Sequence, residues 1–319
     1  MKRNTLFAIS ALVLFLLLFS STLALADDAP KFEVGGPLEP ANAGARMTIV
    51  QAVILGVVEG VTEYLPVSST GHLTVVERLL GMGRTEEEKS ALDAYTICIQ
   101  AGAILAVFLI SFGRIRRMVA GLFGRDRDGL RLLLNLVVAT IPAGIIGLLL
   151  EASIKRYLYG LWPVTAAWLV GGLLILLLVR RRKGNEGTPL ESLTWQQALV
   201  IGLAQSIALW PGVSRSLVTM AGGMLLGLSV SAAVEFSFLL GLVTLGAATV
   251  YEGVKAGPEI IRMFGWVSPA IGLVVAALAA FVAVKAMVGY LRTRSLEIFG
   301  WYRIGIAILV VFLIYAKVV

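Results

Sequence analysis

Two carboxylates, Glu59 and Glu63, stand four residues apart inside an apolar stretch, and the polar run Pro66-Val67-Ser68-Ser69-Thr70-Gly71-His72 follows directly. On a helix such a pair projects from one face, and two like charges that close either share a proton or hold a divalent cation. Hard cations such as Mg²⁺ or Ca²⁺ take oxygen ligands, and Mg²⁺ is typically held by one or two carboxylates together with substrate phosphates. Ser68, Ser69 and Thr70 supply hydroxyls, Gly71 permits a sharp turn, and His72 is the single histidine of the chain. A second polar turn, Trp210-Pro211-Gly212-Val213-Ser214-Arg215-Ser216, adds a guanidinium whose planar fork suits phosphate oxygens. Each turn leads into a helix N-terminus, where free N–H groups favour an anion. Set among apolar residues, this constellation describes a site for a phosphorylated lipid, in which Glu59 and Glu63 either share a proton or act as metal ligands.

The elements that position these groups are membrane helices. The chain has 319 residues, 58% hydrophobic and only 15% charged, with a mean hydropathy of +0.89, where a soluble domain carries nearer 25% charge. An acidic residue at the centre of a membrane helix costs about 2.5–3.5 kcal/mol, so a close pair implies a compensating cation or a wet cavity. The pI near 9.7 does not point to nucleic acid, because the basic residues sit in short blocks at the ends of apolar runs, as in Arg114, Arg116 and Arg117. One cysteine, Cys98, excludes an internal disulfide and reads as packing.

Six apolar runs, about 90–112, 131–150, 162–179, 231–253, 266–290 and 301–317, are long enough to cross a bilayer. The paired runs 48–66 with 72–81, and 195–211 with 216–228, are broken by Pro, Ser and Gly and read as two re-entrant helix hairpins. Lys and Arg are denser in loops 113–131, 180–194 and 291–300 than in loops 82–90, 151–161 and 254–265, which places the first set inside. The hairpins match at an offset of 146: Gln51-Ala52 with Gln197-Ala198, Gly56 with Gly202, Glu59 with Gln205, and Ser68 with Ser214. One hairpin plus three spans per half forces the second copy upside down, so the expected fold is an all-α polytopic membrane protein with six transmembrane helices and an inverted-topology repeat, halves 48–179 and 195–319. Residues 1–26 read as a secretory signal, with Lys2 and Arg3, an apolar core and Ala24-Leu25-Ala26. Residues 27–47 follow as a flexible arm. Gln100, Gln205 and Glu235 either line the cavity or cross-link helices, and Trp162, Trp195, Trp266 and Trp301 read as interfacial anchors.

The segments Glu59-Gly60-Val61-Thr62-Glu63-Tyr64-Leu65-Pro66-Val67-Ser68-Ser69-Thr70-Gly71-His72-Leu73 and Ala208-Leu209-Trp210-Pro211-Gly212-Val213-Ser214-Arg215-Ser216 resemble the two signature segments of the undecaprenyl pyrophosphate phosphatases, the bacitracin-resistance family. The likeness extends over most of 48–317, including Ile99-Gln100-Ala101-Gly102 and Glu235-Phe236-Ser237-Phe238-Leu239-Leu240. It implies hydrolysis of undecaprenyl pyrophosphate to the monophosphate carrier used in peptidoglycan synthesis, with bacitracin resistance, a divalent cation, homodimers, and a bacterial plasma-membrane location with the site opening outward. Carried over, Glu59 and Glu63 form the acidic motif, Ser69 and His72 the catalytic hydroxyl and imidazole, and Arg215 the pyrophosphate clamp; Ser68, Thr70, Gly71, Gln205, Ser214 and Ser216 line the substrate. Leu217 and Val243 stand where the family usually has Gly and Pro, and a bulky Leu217 would narrow the second turn. Ser69, His72 and water all remain open as the nucleophile. The inverted repeat alone would also suit a transporter moving a polyprenyl phosphate between leaflets without hydrolysis.

Overall fold

The computed structural model describes residues 47–181 and 186–319; the expected signal segment, and all of the N-terminal arm but Met47, lie outside the described residues. Among the described residues there are eleven α-helices and no strand. Helices α1 (Ile49–Thr62) and α2 (Ser69–Leu79) form a first hairpin. They are followed by α3 (Glu86–Ile110), α4 (Phe112–Leu122), α5 (Arg127–Leu158) and α6 (Leu161–Arg181). A second hairpin, α7 (Trp195–Ser206) and α8 (Arg215–Leu225), precedes α9 (Val230–Phe264), α10 (Val267–Leu291) and α11 (Glu297–Tyr315). Helices α3, α5, α6, α9, α10 and α11 are long and apolar enough to cross a membrane. Helix α1, with 14 residues, rises about 21 Å, short of the ~30 Å hydrocarbon core.

The hairpins begin alike because the same two side chains cap them. The Thr48 hydroxyl accepts the Gln51 N–H (3.2 Å) while the Gln51 side chain accepts the Thr48 N–H (2.9 Å), and Thr194 with Gln197 repeats this capping box at 3.3 and 2.9 Å. The packing then exchanges between halves: α1 lies on α10, α7 on α5, α3 on α9 and α6 on α11. This reciprocal pattern is that of an inverted repeat. Small residues allow the contact to be backbone to backbone: a Cβ at Gly60 would overlap the Ala276 carbonyl, and one at Gly202 would overlap Ala139.

Three features depart from the expected layout. The segment read as loop 113–131 contains the short helix α4, because Met118 and Gly121 give it an inward face against the core while Phe112 and Val119 point out. Helices α5 and α9 run past their apolar windows; α9 continues through Pro258 and stops only at Gly265, whose φ of 72° suits glycine. Finally, α2 begins at Ser69 and α8 at Arg215, so the reactive side chains open their helices instead of preceding them.

Candidate active site

Both hairpin turns are built on a serine in the left-handed region: Ser68 has φ 72° and ψ 101°, Ser214 φ 77° and ψ 113°. Each caps its helix, Ser68 Oγ accepting the Gly71 N–H (3.4 Å) and Ser214 Oγ the Leu217 N–H (3.2 Å). A non-glycine residue held there costs on the order of 1–3 kcal/mol and persists only where its surroundings over-determine it. Those surroundings are identifiable. Trp168 Nε1–H donates to Val67 O (2.8 Å), Ser216 Oγ–H to Leu65 O (2.8 Å), and His72 Nδ1–H to Ser68 O (2.6 Å). Arg303, wholly buried on α11, donates through Nη2 to Gly212 O and Ala167 O (2.8 Å each), through Nη1 to Pro66 O (3.3 Å) and through Nε to Trp168 O (3.4 Å). One guanidinium thus holds both turns, in space that a Cβ at Gly171 would fill.

Between the turns the reactive groups meet. Glu63 closes α1, its N–H bonded to Glu59 O (2.9 Å). Its Oε1 accepts from Arg215 Nη2 (3.0 Å), and its Oε2 accepts from the Ser69 hydroxyl and from Gln100 Nε2 (3.2 Å). Arg215 also donates from Nη1 to Ser237 O (2.8 Å) and stacks its guanidinium 5.1 Å from the Tyr64 ring. A side chain at Gly241 would displace that guanidinium. Four buried polar groups here are left over: the Arg215 Nε–H, both carboxylate oxygens of Glu59, the Tyr64 hydroxyl and Gln205 Oε1 have no hydrogen-bond partner. A buried polar group without a partner is rare enough to need an explanation.

The space for a ligand is present. A cavity of about 670 Å³ is lined by Glu59, Ser69, Thr70, Gln100, Gln205 and Arg215, continues between α5 and α9 along Ala143, Gly144, Gly147, Ala247 and Ala248, and reaches Glu77 and Lys255 at the helix ends away from the arginine-rich side. A second cavity of about 110 Å³ is lined by Glu63, Ser68, Ser214, Trp210 and Gly212. Ser69, Thr70, Gln100 and Arg215 border both.

A match to the family described as "Bacitracin resistance protein BacA" covers residues 52–309, which takes in both hairpins and both turns. The chain belongs to that family. It is 46% identical over 266 residues to an undecaprenyl-diphosphatase of Sorangium cellulosum, covering 82% of this chain and 85% of the relative. It is 42% identical to an undecaprenyl-diphosphatase of Nitrosospira multiformis over 85% of this chain and 97% of the relative. It is also 42% identical to undecaprenyl-diphosphatase 2 of Rhodospirillum rubrum, over 82% and 93%.

In this BacA family member, Glu59, Glu63, Ser69, Thr70, Gln205 and Arg215 come together around the cavities, and Ser68 and Ser214 border the smaller one. Ser216 is buried as a tie between hairpins, its hydroxyl accepting from Ser214 Oγ (2.9 Å). Gly71 and His72 are not brought to the cavities. The cavity face of α2 is Ser69, Thr70, Leu73, Thr74 and Glu77, and at 100° per residue His72 falls on the other side. Its ring packs on Trp168, and since Nδ1–H is committed to Ser68 O, Nε2 accepts from Tyr302 Oη (2.8 Å). A Cβ at Gly71 would strike Trp168. Leu217 is buried in the core beside Met220, and Val243 packs against that core; neither lines a cavity. Glu235 cross-links helices, accepting from Arg114 Nε (2.6 Å). Arg303 and Tyr302 lie outside both signature segments, although a cation within the sixth apolar run is a signal of its own.

Proposed function

We infer that this chain is an undecaprenyl-diphosphatase, a membrane-embedded hydrolase that converts undecaprenyl pyrophosphate to undecaprenyl phosphate and inorganic phosphate. Its curated relatives carry that name, and the observation that carries the chemistry is the single carboxylate of Glu63 bonded to both the Ser69 hydroxyl and the Arg215 guanidinium. That is a nucleophile, a base and an orienting group in hydrogen-bond sequence. Ser69 Oγ attacks the terminal phosphorus while Glu63 takes its proton. The bridging P–O bond breaks, and its electron pair leaves on the lipid monophosphate, to which Glu63 passes the proton. Water then attacks the phosphoserine phosphorus while Glu63 accepts its proton, the P–Oγ bond breaks, Glu63 returns the proton to Ser69 Oγ, and inorganic phosphate departs. Arg215 follows the charge that develops on the transferring group through its unused Nε–H. The small cavity suits the terminal phosphate, and the long one, walled by small residues of α5 and α9, suits the prenyl chain.

The partnerless oxygens of Glu59 are hard donors facing the diphosphate space, and they fit a divalent cation such as Mg²⁺ or Ca²⁺. When bound, that ion would neutralise diphosphate charge. The long cavity ends on the side opposite the arginine-rich loops, so the positive-inside rule turns it toward the outer face of the bacterial plasma membrane.

Full-length protein in detergent is expected to release phosphate from undecaprenyl pyrophosphate, to stop on addition of chelator, and to recover with Mg²⁺ or Ca²⁺. The Glu59→Gln protein should stay inactive at any divalent concentration. Movement of labelled polyprenyl phosphate across liposomes with no phosphate released would favour a transporter instead. His72 holds the Ser68 carbonyl at the base of the strained turn, so His72→Ala is expected to lower turnover about 10²-fold while leaving the shape of the pH–rate profile unchanged. A profile that loses one limb would instead make the imidazole a proton carrier.

A further inference from the structure

Helix α4 and the turn after it carry a second surface, remote from the reaction. Helical spacing lines Phe112, Arg116, Val119 and Phe123 along one face, and all four are exposed, Phe123 at 74%. The opposite face is committed to the protein. Met118 and Gly121 are buried. Arg114 pairs with Glu235 and Glu191 at 2.6 Å each, and Arg117 pairs with Asp126 at 2.7 Å; the Arg114 guanidinium beside Glu191 holds that carboxyl below the usual carboxylate range. The carboxylates of Glu191, Glu235 and Asp126 are therefore taken by the inward arginines.

The outward cations have no such partner. Among the described residues Arg116, Arg125, Arg127 and Arg131 are exposed, and none makes an ion pair with a carboxylate. Arg116, Arg125 and Arg127 lie within the apolar stripe or just after it, in α4, its turn and the first residue of α5, between two membrane spans, whereas Arg131 borders the groove of Arg114, Arg117 and Glu191 on the committed face. An amphipathic helix tethered at both ends to spans, apolar and cationic on its free face, has the composition of an interfacial helix. Its charge calls for an anion held at headgroup depth and not for a soluble one, because Phe112, Val119 and Phe123 need acyl chain beside them.

We propose that α4 and the following turn form a docking site for an anionic phospholipid of the arginine-rich leaflet, with the phosphate against Arg116, Arg125 and Arg127 and the acyl chains along Phe112, Val119 and Phe123. The site is independent of the diphosphate chemistry and lies on the other side of the membrane from the cavity mouth. Its occupant is a structural lipid that seats α4, not a substrate.

The test uses full-length protein in nanodiscs of mixed phosphatidylglycerol and phosphatidylcholine, with the annular lipid counted by native mass spectrometry after mild delipidation. The wild-type protein is expected to retain phosphatidylglycerol preferentially. Each arginine near a headgroup contributes about a fivefold preference, so Arg116→Gln/Arg125→Gln/Arg127→Gln should lower the retained ratio by at least about tenfold, and the same three positions changed to Lys should keep most of it. Phosphate release in detergent reports that the variants are folded, since none of the three positions borders the cavities. Should the Gln variant not fold, raising salt from about 0.05 to about 0.5 M on the wild-type protein must erode the preference. Equal retention of the two lipids by wild-type protein, a Gln variant with wild-type preference, or a preference indifferent to salt each overturns the proposal.

Discussion

Arg215→Lys protein is expected to fold, to keep its charge, and to release phosphate about 10²–10³-fold more slowly than wild type, the loss typical of one misplaced donor to developing charge. The guanidinium reaches Glu63 Oε1 and Ser237 O at once while its central carbon sits over the Tyr64 ring, 5.1 Å from the centroid. An ammonium has one point of charge and no plane, so it cannot make both bonds and also present a third donor to the phosphate. Arg215→Ala is the harsher change. It leaves the buried Glu63 carboxylate, 7% exposed, without a cation, a loss of about 3–5 kcal/mol when one partner of a buried pair is removed, and the thermal midpoint in detergent should fall with turnover. Phosphate release by Arg215→Lys at the wild-type rate would remove the guanidinium from the transition state.

Arg303→Met is expected to reduce turnover about 10²-fold while changing stability far less. Among the described residues Arg303 makes no ion pair, and its donors go to four backbone carbonyls. Two of these, Ala167 O and Trp168 O, lie within α6 and are also placed to accept helical N–H groups. The other two, Pro66 O and Gly212 O, belong to the two strained turns. Burying an unpaired guanidinium costs several kcal/mol, which Met would relieve, whereas an unsatisfied turn carbonyl costs about 1–3 kcal/mol; the two effects largely offset. The geometry does not recover, because both turns lose the one side chain they share. Comparing phosphate release with the thermal unfolding midpoint separates the outcomes, and a midpoint that collapses along with activity would make Arg303 a folding residue only.

Much of the site could be read from residue types. Glu59, Glu63, Ser69 and Arg215 are chemically improbable in lipid unless they serve one another, and the matched capping boxes at Thr48 and Thr194 bear out the 146-residue offset as local structure. The six spans followed from run length, since a bilayer sets the number of apolar residues needed to cross it. Helix α4 was hidden because Arg114, Arg116 and Arg117 leave its eleven residues too polar to read as an apolar run, and the inward pairs with Glu191 and Glu235 show which face is which.

What residue order could not supply was direction. His72 stands three positions after Ser69, and nothing in that spacing tells that α2 begins at Ser69 and so turns the imidazole toward Trp168 and Tyr302, away from the diphosphate space. Nor does it tell which carboxylate takes which part: Glu63 goes to Ser69 and Arg215 while Glu59 keeps its oxygens free. The chain on its own determined that it lives in a membrane, in two opposed copies, with acid, hydroxyl and guanidinium at the breaks, because hydrophobicity and turn chemistry are local. The division of labour between those groups was decided only by tertiary structure, because it depends on contacts such as those of Arg303 and Arg215, which join residues more than a hundred positions apart in a cavity that neither copy forms alone.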